Sequence, residues 1–295
     1  MGGERLRGIP GGPARIGGAS GGLYAGLTQT HRFATGSSGL LLAPAYGVGS
    51  ELSATGPNGP SVFPSSALTA RFRIKSRSGA YLQAAVVNAE SGVLGDIGGV
   101  RPLFGQGALV IGEAGREIAG KTKFAIGAWT YTRQQEDIVD TDPAGNPLHR
   151  QTWGVYALAD FRIATAGERT INAFARAGFS DGKTTPYTGG WQAGILVNGV
   201  FKGRPDSQFS LGANQAFLSS KYQASAVASG LIAHGQETGV EMTYSDKVAP
   251  WLLVQPDIQL IWNGQHSPEG RKALIFGLRL HFTKSGTWVV SQVVV

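Results

Sequence analysis

The stretch Leu68-Thr69-Ala70-Arg71-Phe72-Arg73-Ile74-Lys75 decides the fold class of this chain. Its apolar and polar residues alternate strictly, so an extended strand here has one apolar face and one largely cationic face. The same alternation is clear at residues 170–179, 237–244, 252–262 and 274–282. Weaker versions occupy residues 22–29, 40–49, 80–88, 107–113, 121–132, 152–163, 190–200 and 206–217. The sequence therefore predicts about a dozen β-strands, with no helical pattern between them.

Turn-forming segments separate the predicted strands. They include Gly145-Asn146-Pro147, Asp181-Gly182-Lys183 and Asn263-Gly264, whose residues favour turns through positive φ or a missing N–H. Short turns of this kind join antiparallel strands. Many of the predicted strands approach the ~9–11 residues that a tilted strand needs to cross a bilayer. We therefore expect an all-β protein forming one antiparallel sheet.

Composition excludes several classes of protein. Glycine contributes 45 of the 295 residues, and charged residues make up only 15% of the chain, against about 25% in ordinary soluble domains. Low charge argues against a charge-coated soluble enzyme, and no uninterrupted apolar run reaches the ~20 residues of a membrane helix. The absence of cysteine excludes zinc ribbons, iron–sulfur clusters and disulfide frameworks. The net charge of +7 is spread along the chain, so nucleic acid is not an expected partner.

Candidate catalytic and metal motifs are weak. Gly18-Ala19-Ser20-Gly21-Gly22 matches a nucleophile-elbow pattern, but no strand precedes it and no helix follows it. The five histidines never occur at the close spacings of a metal site. The sequence predicts that the protein is not an enzyme and needs no cofactor or metal.

Alternation alone leaves two orientations open. In a soluble sandwich the apolar face is inside, whereas in a transmembrane barrel the apolar face meets lipid and the polar face lines the lumen. Aromatic residues at strand ends favour the barrel, because interfacial girdles need them there; they are Trp153, Phe179, Trp191, Tyr244, Trp251 and Trp262. A glycan-binding β-sandwich outside the membrane is the alternative.

Several segments in the second half of the chain carry a family resemblance. They are FARAGF (residues 174–179), KGRPD (202–206), ETGVEMTY (237–244), Pro250-Trp251, QPDIQ (255–259) and ALIFGLRL (273–280). In this order and spacing, the sequence resembles the carbohydrate-selective porin (OprB-type) family over roughly residues 67–282.

The resemblance implies a sixteen-stranded transmembrane β-barrel in the outer membrane of a Gram-negative cell. It further implies passive diffusion of sugars, such as monosaccharides, through a narrowed, arginine-bearing lumen surrounded by outer-membrane lipid. A homotrimer is one assembly to test, and the net charge leaves an anion-preferring general porin as an alternative function.

The polar faces supply the candidate pore residues. An arginine facing lipid near the bilayer midplane would cost about 2–4 kcal/mol, so charged side chains on the polar faces should point into the lumen. There they either pair across strands and stiffen the wall or offer hydrogen bonds to sugar hydroxyls, with Trp129, Tyr131 or Phe174 as stacking surfaces. The candidates are Arg71, Arg73, Lys75, Trp129, Asp160, Arg162, Phe174, Arg176, Glu237, Glu241, Asp257 and Arg279.

The chain divides into three predicted regions. Residues 1–21 form a Gly- and Arg-rich segment expected to be poorly ordered, residues 22–282 form the barrel, and residues 283–295 form an atypical C-terminal tail. The resembling family is longer at the N-terminus and begins with a signal peptide. We therefore expect the sequence to be truncated at its N-terminus, either because Met1 is a misassigned start or because the gene is a fragment.

Overall fold

The computed structural model describes residues 14–16, 19–28, 30–62, 65–93, 99–118, 122–264, 272–284 and 287–294. Residues 1–13 of the predicted N-terminal segment lie outside the described residues. The strands are β1 (Ala14–Ile16), β2 (Ala19–Thr28), β3 (Ala67–Ser76), β4 (Ala80–Asn88), β5 (Ala108–Ile118), β6 (Thr122–Tyr131), β7 (Gln135–Thr141), β8 (Pro147–Arg150), β9 (Trp153–Ala166), β10 (Arg169–Ser180), β11 (Tyr187–Asn198), β12 (Gln208–Leu218), β13 (Gln236–Ala249), β14 (Leu252–Trp262), β15 (Ala273–Lys284) and β16 (Thr287–Val294).

Fourteen of these strands form one continuous sheet, which we call the wall. Its order is β1 to β6 followed by β9 to β16, so each strand pairs with its neighbour in the chain apart from the step across β7 and β8. Every pair is antiparallel, as in the ten-residue ladder between β2 and β3. β7 and β8 form a separate hairpin. The antiparallel all-β fold predicted from the sequence is confirmed, and a single sheet excludes the alternative of two packed sheets.

Most of the weaker strand predictions are confirmed, but the one at residues 40–49 is wrong. Those residues carry a 3-10 turn at Pro44–Tyr46 and lie in the connection between β2 and β3. The expectation of no helix is also wrong, since α1 (Ser50–Ser53) and α2 (Ser220–Ala228) are present. Within the described ranges, no helix is long and apolar enough to cross a membrane.

The sheet extends beyond the predicted 22–282 range at both ends. β2 begins at Ala19 and is preceded by the short strand β1. At the other end, β16 pairs antiparallel with β15. In this ladder Lys284 lies opposite Thr287, and Gly277 lies opposite Val294. Part of the predicted tail is therefore a strand of the wall.

The two ends of the strands differ in their connections. At one end, residues 89–107, 132–152 and 219–235 form long connections, as do the residues between β2 and β3. At the other end, residues 77–79 and 167–168 suffice to turn the chain, with Gly79 and Gly167 at φ of +87° and +59°. We call these the long-loop end and the short-turn end.

The outer face of the wall is apolar and exposed, as the alternation predicts. Ile126 is 68% exposed and Leu23 60%, whereas Tyr81 and Gln83, on the inner face, are buried. Bulky aromatic side chains lie near both rims of the outer face. Trp153 packs on Phe179 at the long-loop end, and Trp251 stacks on Phe282 at the short-turn end.

Replacing Ile126 by arginine tests which face meets lipid. Because Ile126 lies mid-strand on the outer face, we expect Ile126→Arg to destabilise the barrel in lipid vesicles by about 2–4 kcal/mol. The control is Leu103→Arg, because Leu103 is 77% exposed in a long connection. Urea titration of the folded form, read by its heat-dependent gel migration, measures both. Equal stability of the two variants would contradict a lipid-facing outer surface.

Candidate functional site

Residues 30–62 fold into the space enclosed by the wall, and we call them the inner loop. This segment contains 3-10 turns at Thr30–Phe33, Ser37–Leu40 and Pro44–Tyr46, followed by α1. Its side chains Phe33, Val48 and Leu52 are at most 4% exposed and join inner-face residues of the wall in one apolar cluster. A loop from the long-loop end therefore narrows the lumen.

A buried ion pair fixes the middle of the inner loop. Arg176 on β10 donates to Glu51 of α1 at 2.5 Å, and both side chains are at most 1% exposed. The Arg176 guanidinium also donates to the Phe33 carbonyl at 2.7 Å and lies 4.0 Å from the centroid of the Tyr156 ring. A buried charge needs such compensation, and removing either partner leaves the other uncompensated.

Two further carboxylates bind the backbone of the inner loop. Asp160 on β9 accepts hydrogen bonds from the N–H groups of Gly36 and Ser37 and from the Ser37 hydroxyl. Glu241 on β13 accepts from the N–H groups of Leu42 and Ala43. Both acids are candidate pore residues of the sequence analysis. In the structure their carboxylates accept hydrogen bonds from the backbone of the inner loop.

A further buried carboxylate, Glu113 on β5, was missed by the sequence analysis. It accepts from the hydroxyls of Tyr81 and Tyr156 at 2.6 and 2.8 Å and from the Gln83 amide at 2.8 Å. Lys123 lies 3.5 Å away. Glu113 and Glu117 both lie on one face of the alternating strand Ala108–Ile118, so an acid on the polar face of a weakly alternating strand was the available signal.

The two aromatic candidates are buried in packing. Trp129 is 2% exposed and lies edge-on to Tyr131, with 6.3 Å between ring centroids. Phe174 is 2% exposed and lies edge-on to Tyr46 of the inner loop at 6.2 Å. The third aromatic named as a stacking surface, Tyr131, is 1% exposed and contacts Thr55 of the inner loop.

A charged strip on the inner face keeps contact with solvent. Arg73 and Lys75 on β3 pair with Glu117 on β5, and all three side chains are about one-third exposed. Arg73 also lies over the Tyr81 ring, 4.6 Å from its centroid. Arg71 lies two residues before Arg73 on β3, on the same face, and donates to Gln83 at 3.5 Å. These residues form a ladder toward the short-turn end, which we call the β3 ladder (Arg71, Arg73 and Lys75).

The remaining candidates lie at different points of the wall. Asp257 is 3% exposed and accepts from Gln259 at 2.7 Å. Arg162 is exposed near the short-turn end of β9, and Arg279 is partly buried on β15. Glu237 is partly buried near the start of β13 and helps to line a cavity.

This cavity has a volume of about 270 Å³ and lies between the inner loop and strands β10 to β14. Polar side chains contribute much of its lining: Glu51, Arg176, Gln192, Asn214, Glu237, Glu241 and Gln259. Carboxylates, carboxamides and a guanidinium together offer both donors and acceptors of hydrogen bonds.

Inner-face glycines make room for the inner loop. A Cβ on Gly212 would lie 2.6 Å from the Leu41 side chain and 2.7 Å from the Tyr46 ring. A Cβ on Gly178 would overlap the Glu51 carboxylate. These glycines are therefore needed for close approach between wall and loop.

An ionic cluster ties two connections together at the long-loop end. Lys221 of α2 and Arg150 of β8 both pair with Asp137 and Asp140 of β7 at 2.5 to 2.6 Å. Burial raises the pKa of the Asp137 carboxyl, but hydrogen bonds from Lys221, from backbone N–H groups and from Arg150 lower it well below the usual range overall. Hydrogen bonds from Lys221 and Arg150 also lower the pKa of Asp140.

Comparison with known proteins identifies the family. The sequence matches the model of the carbohydrate-selective porin, OprB family, over residues 23–283. The chain belongs to this family. It is therefore an outer-membrane porin of Gram-negative bacteria and not an enzyme. No curated protein matches the chain.

Three solved structures are similar to the chain. The high-pH structure of Pseudomonas putida OprB has 19% identity and a TM-score of 0.70, covering 90% of this chain and 69% of that one. Its low-pH structure has 14% identity and a TM-score of 0.48, covering 90% and 62%. The outer-membrane channel DcaP of Acinetobacter baumannii has 10% identity and a TM-score of 0.45, covering 95% and 80%. The first match shows a shared fold, and the transmembrane barrel predicted from the sequence is confirmed.

Membership of this porin family gives the strand ends an orientation. Outer-membrane barrels have short periplasmic turns and longer extracellular loops. The long-loop end of this OprB-family chain therefore faces the cell exterior, and the inner loop enters the lumen from that side. The β3 ladder lies toward the periplasm.

Separate removal of Arg176 and Glu51 should be strongly destabilising. We expect Arg176→Met or Glu51→Leu alone to lower the free energy of unfolding by about 3–5 kcal/mol, because each leaves a buried unpaired charge. The double variant should lose much less than the sum of the two. Urea titrations in lipid or detergent micelles complete this double-mutant cycle, and additive losses would show that the two charges do not compensate each other.

The extracellular ionic cluster should be insensitive to pH between 5 and 8. Since the folded pKa values of Asp137 and Asp140 are lowered, the cluster stabilises the hairpin above the ordinary aspartate range of about 4. Its contribution is lost only as the pH falls through the lowered folded values. Hydrogen exchange of the β7–β8 amides should therefore show constant protection, corrected for intrinsic rates, from pH 8 to pH 5.

Lys221→Met should reduce that protection at every pH in this range. Lys202→Met is the matched control, because Lys202 is exposed in the connection between β11 and β12. A loss of protection between pH 8 and 5 in the unsubstituted protein would contradict the cluster's proposed pH dependence.

Proposed function

We propose that this porin passes sugars, monosaccharides included, by passive diffusion through a lumen that the inner loop narrows and the β3 ladder lines. The observation that carries the proposal is the inner loop held inside the wall of a carbohydrate-selective porin family member. Selectivity in such a pore depends on the local radius and on the lining groups.

The β3 ladder suits weak contact with sugar hydroxyls. Arg73 and Lys75 are about one-third exposed, so their donors meet water and solutes. A guanidinium presents a fixed fork of donors and stays charged at any working pH. Glu117 beside them adds acceptors. Contacts must stay weak and numerous, because tight binding would stop conduction.

The buried candidates have a different proposed role. Trp129, Phe174 and Arg176 are each 2% exposed, and Phe174 and Arg176 touch the inner loop directly. We propose that they support the narrowing and do not touch sugar. On the extracellular side, the cavity lined by the partly exposed Asn214 and Gln259 is the proposed contact region for sugar before the narrowing.

An anion-preferring general porin is the second candidate. The observation that favours it is the charge of the solvent-contacting strip, where Arg73 and Lys75 share one carboxylate, Glu117. Reversal potentials in a salt gradient separate the two candidates: a sugar channel shows saturable sugar flux with weak ion preference, and a general anion porin shows strong anion preference without sugar saturation.

The Arg73→Gln variant tests the sugar-lining role. Loss of one hydrogen bond of about 1 kcal/mol should raise the half-saturating monosaccharide concentration roughly fivefold. The matched control is Arg116→Gln, because Arg116 is exposed on the outer face of β5 and donates to the Ser78 carbonyl. Liposome flux assays measure both. Equal half-saturation in the two variants would remove the β3 ladder from the sugar path.

The homotrimer stays a prediction. Light scattering of the detergent-solubilised porin measures the protein mass directly, and a monomer mass would contradict it.

A further inference from the structure

Two carboxylates of the wall, Asp160 and Glu241, fasten the inner loop at separated points. Asp160 Oδ2 lies 2.7 Å from the nitrogens of both Gly36 and Ser37, and its Oδ1 lies 2.5 Å from the Ser37 hydroxyl. Glu241 binds the next anchor point, with its Oε2 2.9 Å from the Ala43 nitrogen and its Oε1 on the Leu42 nitrogen. Each carboxylate thus binds two consecutive backbone N–H groups.

The loop segment between the two anchors lies against the inner face of the wall. The anchors stand on β9 and β13, which are separated by β10, β11 and β12, or about 19 Å along the sheet at ~4.8 Å per strand. The segment from Ser37 to Leu42 includes a 3-10 turn and covers these middle strands. A Cβ on Gly212 of β12 would lie 2.6 Å from the Leu41 side chain. The two carboxylates therefore hold both ends of one short segment that is packed on the lumen side of the wall.

Carboxamides bind carbonyl groups of the same loop. Gln255 on β14 donates to the Leu40 carbonyl at 2.7 Å, between the two carboxylate anchors. Irregular backbone in a confined space must find partners for its polar groups. Asp160 and Glu241 each accept from two consecutive loop N–H groups, whereas Gln255 donates to one carbonyl, so the two carboxyl side chains are the dominant anchors of residues 36–43.

We propose that Asp160 and Glu241 are positioning residues, which hold the inner loop in place inside the lumen and so set the largest sugar that the channel passes. This inference rests on the proposed sugar-channel function. Their oxygens are occupied by loop N–H groups, so they act through the loop and not by contact with sugar.

The isosteric variants Asp160→Asn and Glu241→Gln test the proposal. Each keeps the side-chain shape but replaces one accepting oxygen by an NH₂ group. In Glu241→Gln this group cannot accept from one of the two loop N–H groups. In Asp160→Asn it replaces either the oxygen that accepts from both N–H groups or the oxygen that accepts from the Ser37 hydroxyl. We expect larger and noisier single-channel conductance and a several-fold rise in the flux of a trisaccharide relative to a monosaccharide. Heat-dependent gel migration should show that the barrel itself remains folded.

Asp206→Asn is the matched control. Asp206 is exposed in the connection between β11 and β12, away from the inner loop, so conductance and the flux ratio should not change. Wild-type conductance and an unchanged flux ratio in both Asp160→Asn and Glu241→Gln would overturn the positioning role.

A milder variant decides the case if the isosteric ones do not fold. Ser37→Ala removes only the hydroxyl bond to Asp160, and the same rise in conductance and flux ratio, smaller in size, is expected. A Ser37→Ala channel identical to the wild type would count against the proposal in that case.

The outcomes also separate this inference from the proposed function. If the wild-type channel passes no sugar, the proposed function fails, while increased ion conductance in Asp160→Asn would still support the positioning role. If the wild-type channel passes sugars but both isosteric variants keep the wild-type size limit, only the positioning role fails.

Discussion

This structure depends on one constraint: where no water is available, polar groups must find hydrogen-bond partners within the protein. In the bilayer an unpaired backbone N–H or C=O costs several kcal/mol, so neighbouring strands must satisfy each other. Residue-by-residue antiparallel ladders such as β10 with β11 meet that demand. The same constraint places apolar side chains outside, and it leaves the polar half of each strand facing inward.

The inner loop obeys the same constraint by different means. Its backbone is irregular, and side chains of the wall take the place of a neighbouring strand: Asp160 and Glu241 accept from its N–H groups, and Gln255 and Arg176 donate to its carbonyls. Much of the polar inner face is thus used to hold a second layer of protein. The β3 ladder with Glu117 keeps contact with solvent, and we propose that it is the part available to a passing solute.

The alternation of apolar and polar residues predicted the strands of the wall well, because the signal for each strand lies within its own residues. Phe72 faces out and Arg73 faces in for reasons contained in eight residues of sequence, and the lipid cost of the opposite arrangement is large. The inner loop has no such local signal. Phe33 meets Arg176 across 143 positions and Leu40 meets Gln255 across 215, so the weak alternation at residues 40–49 was interpreted as another strand. For the same reason, the place of Arg176 in an alternating strand correctly indicated that it faces inward. Nothing near it in the sequence indicated that Glu51 is its partner.

Glycines within the strands allow the wall and the inner loop to pack together. Gly178, Gly190, Gly194 and Gly212 all lie within strands, where glycine weakens packing and adds entropy to the unfolded chain. On the inner face a Cβ at Gly178 or Gly190 would strike Glu51 or Ser50, and one at Gly212 would strike Leu41. Glycine at these positions weakens the wall, but it is required for the loop to pack against the wall. Loop position, and with it the width of the lumen, is therefore encoded in the strands as much as in residues 30–62.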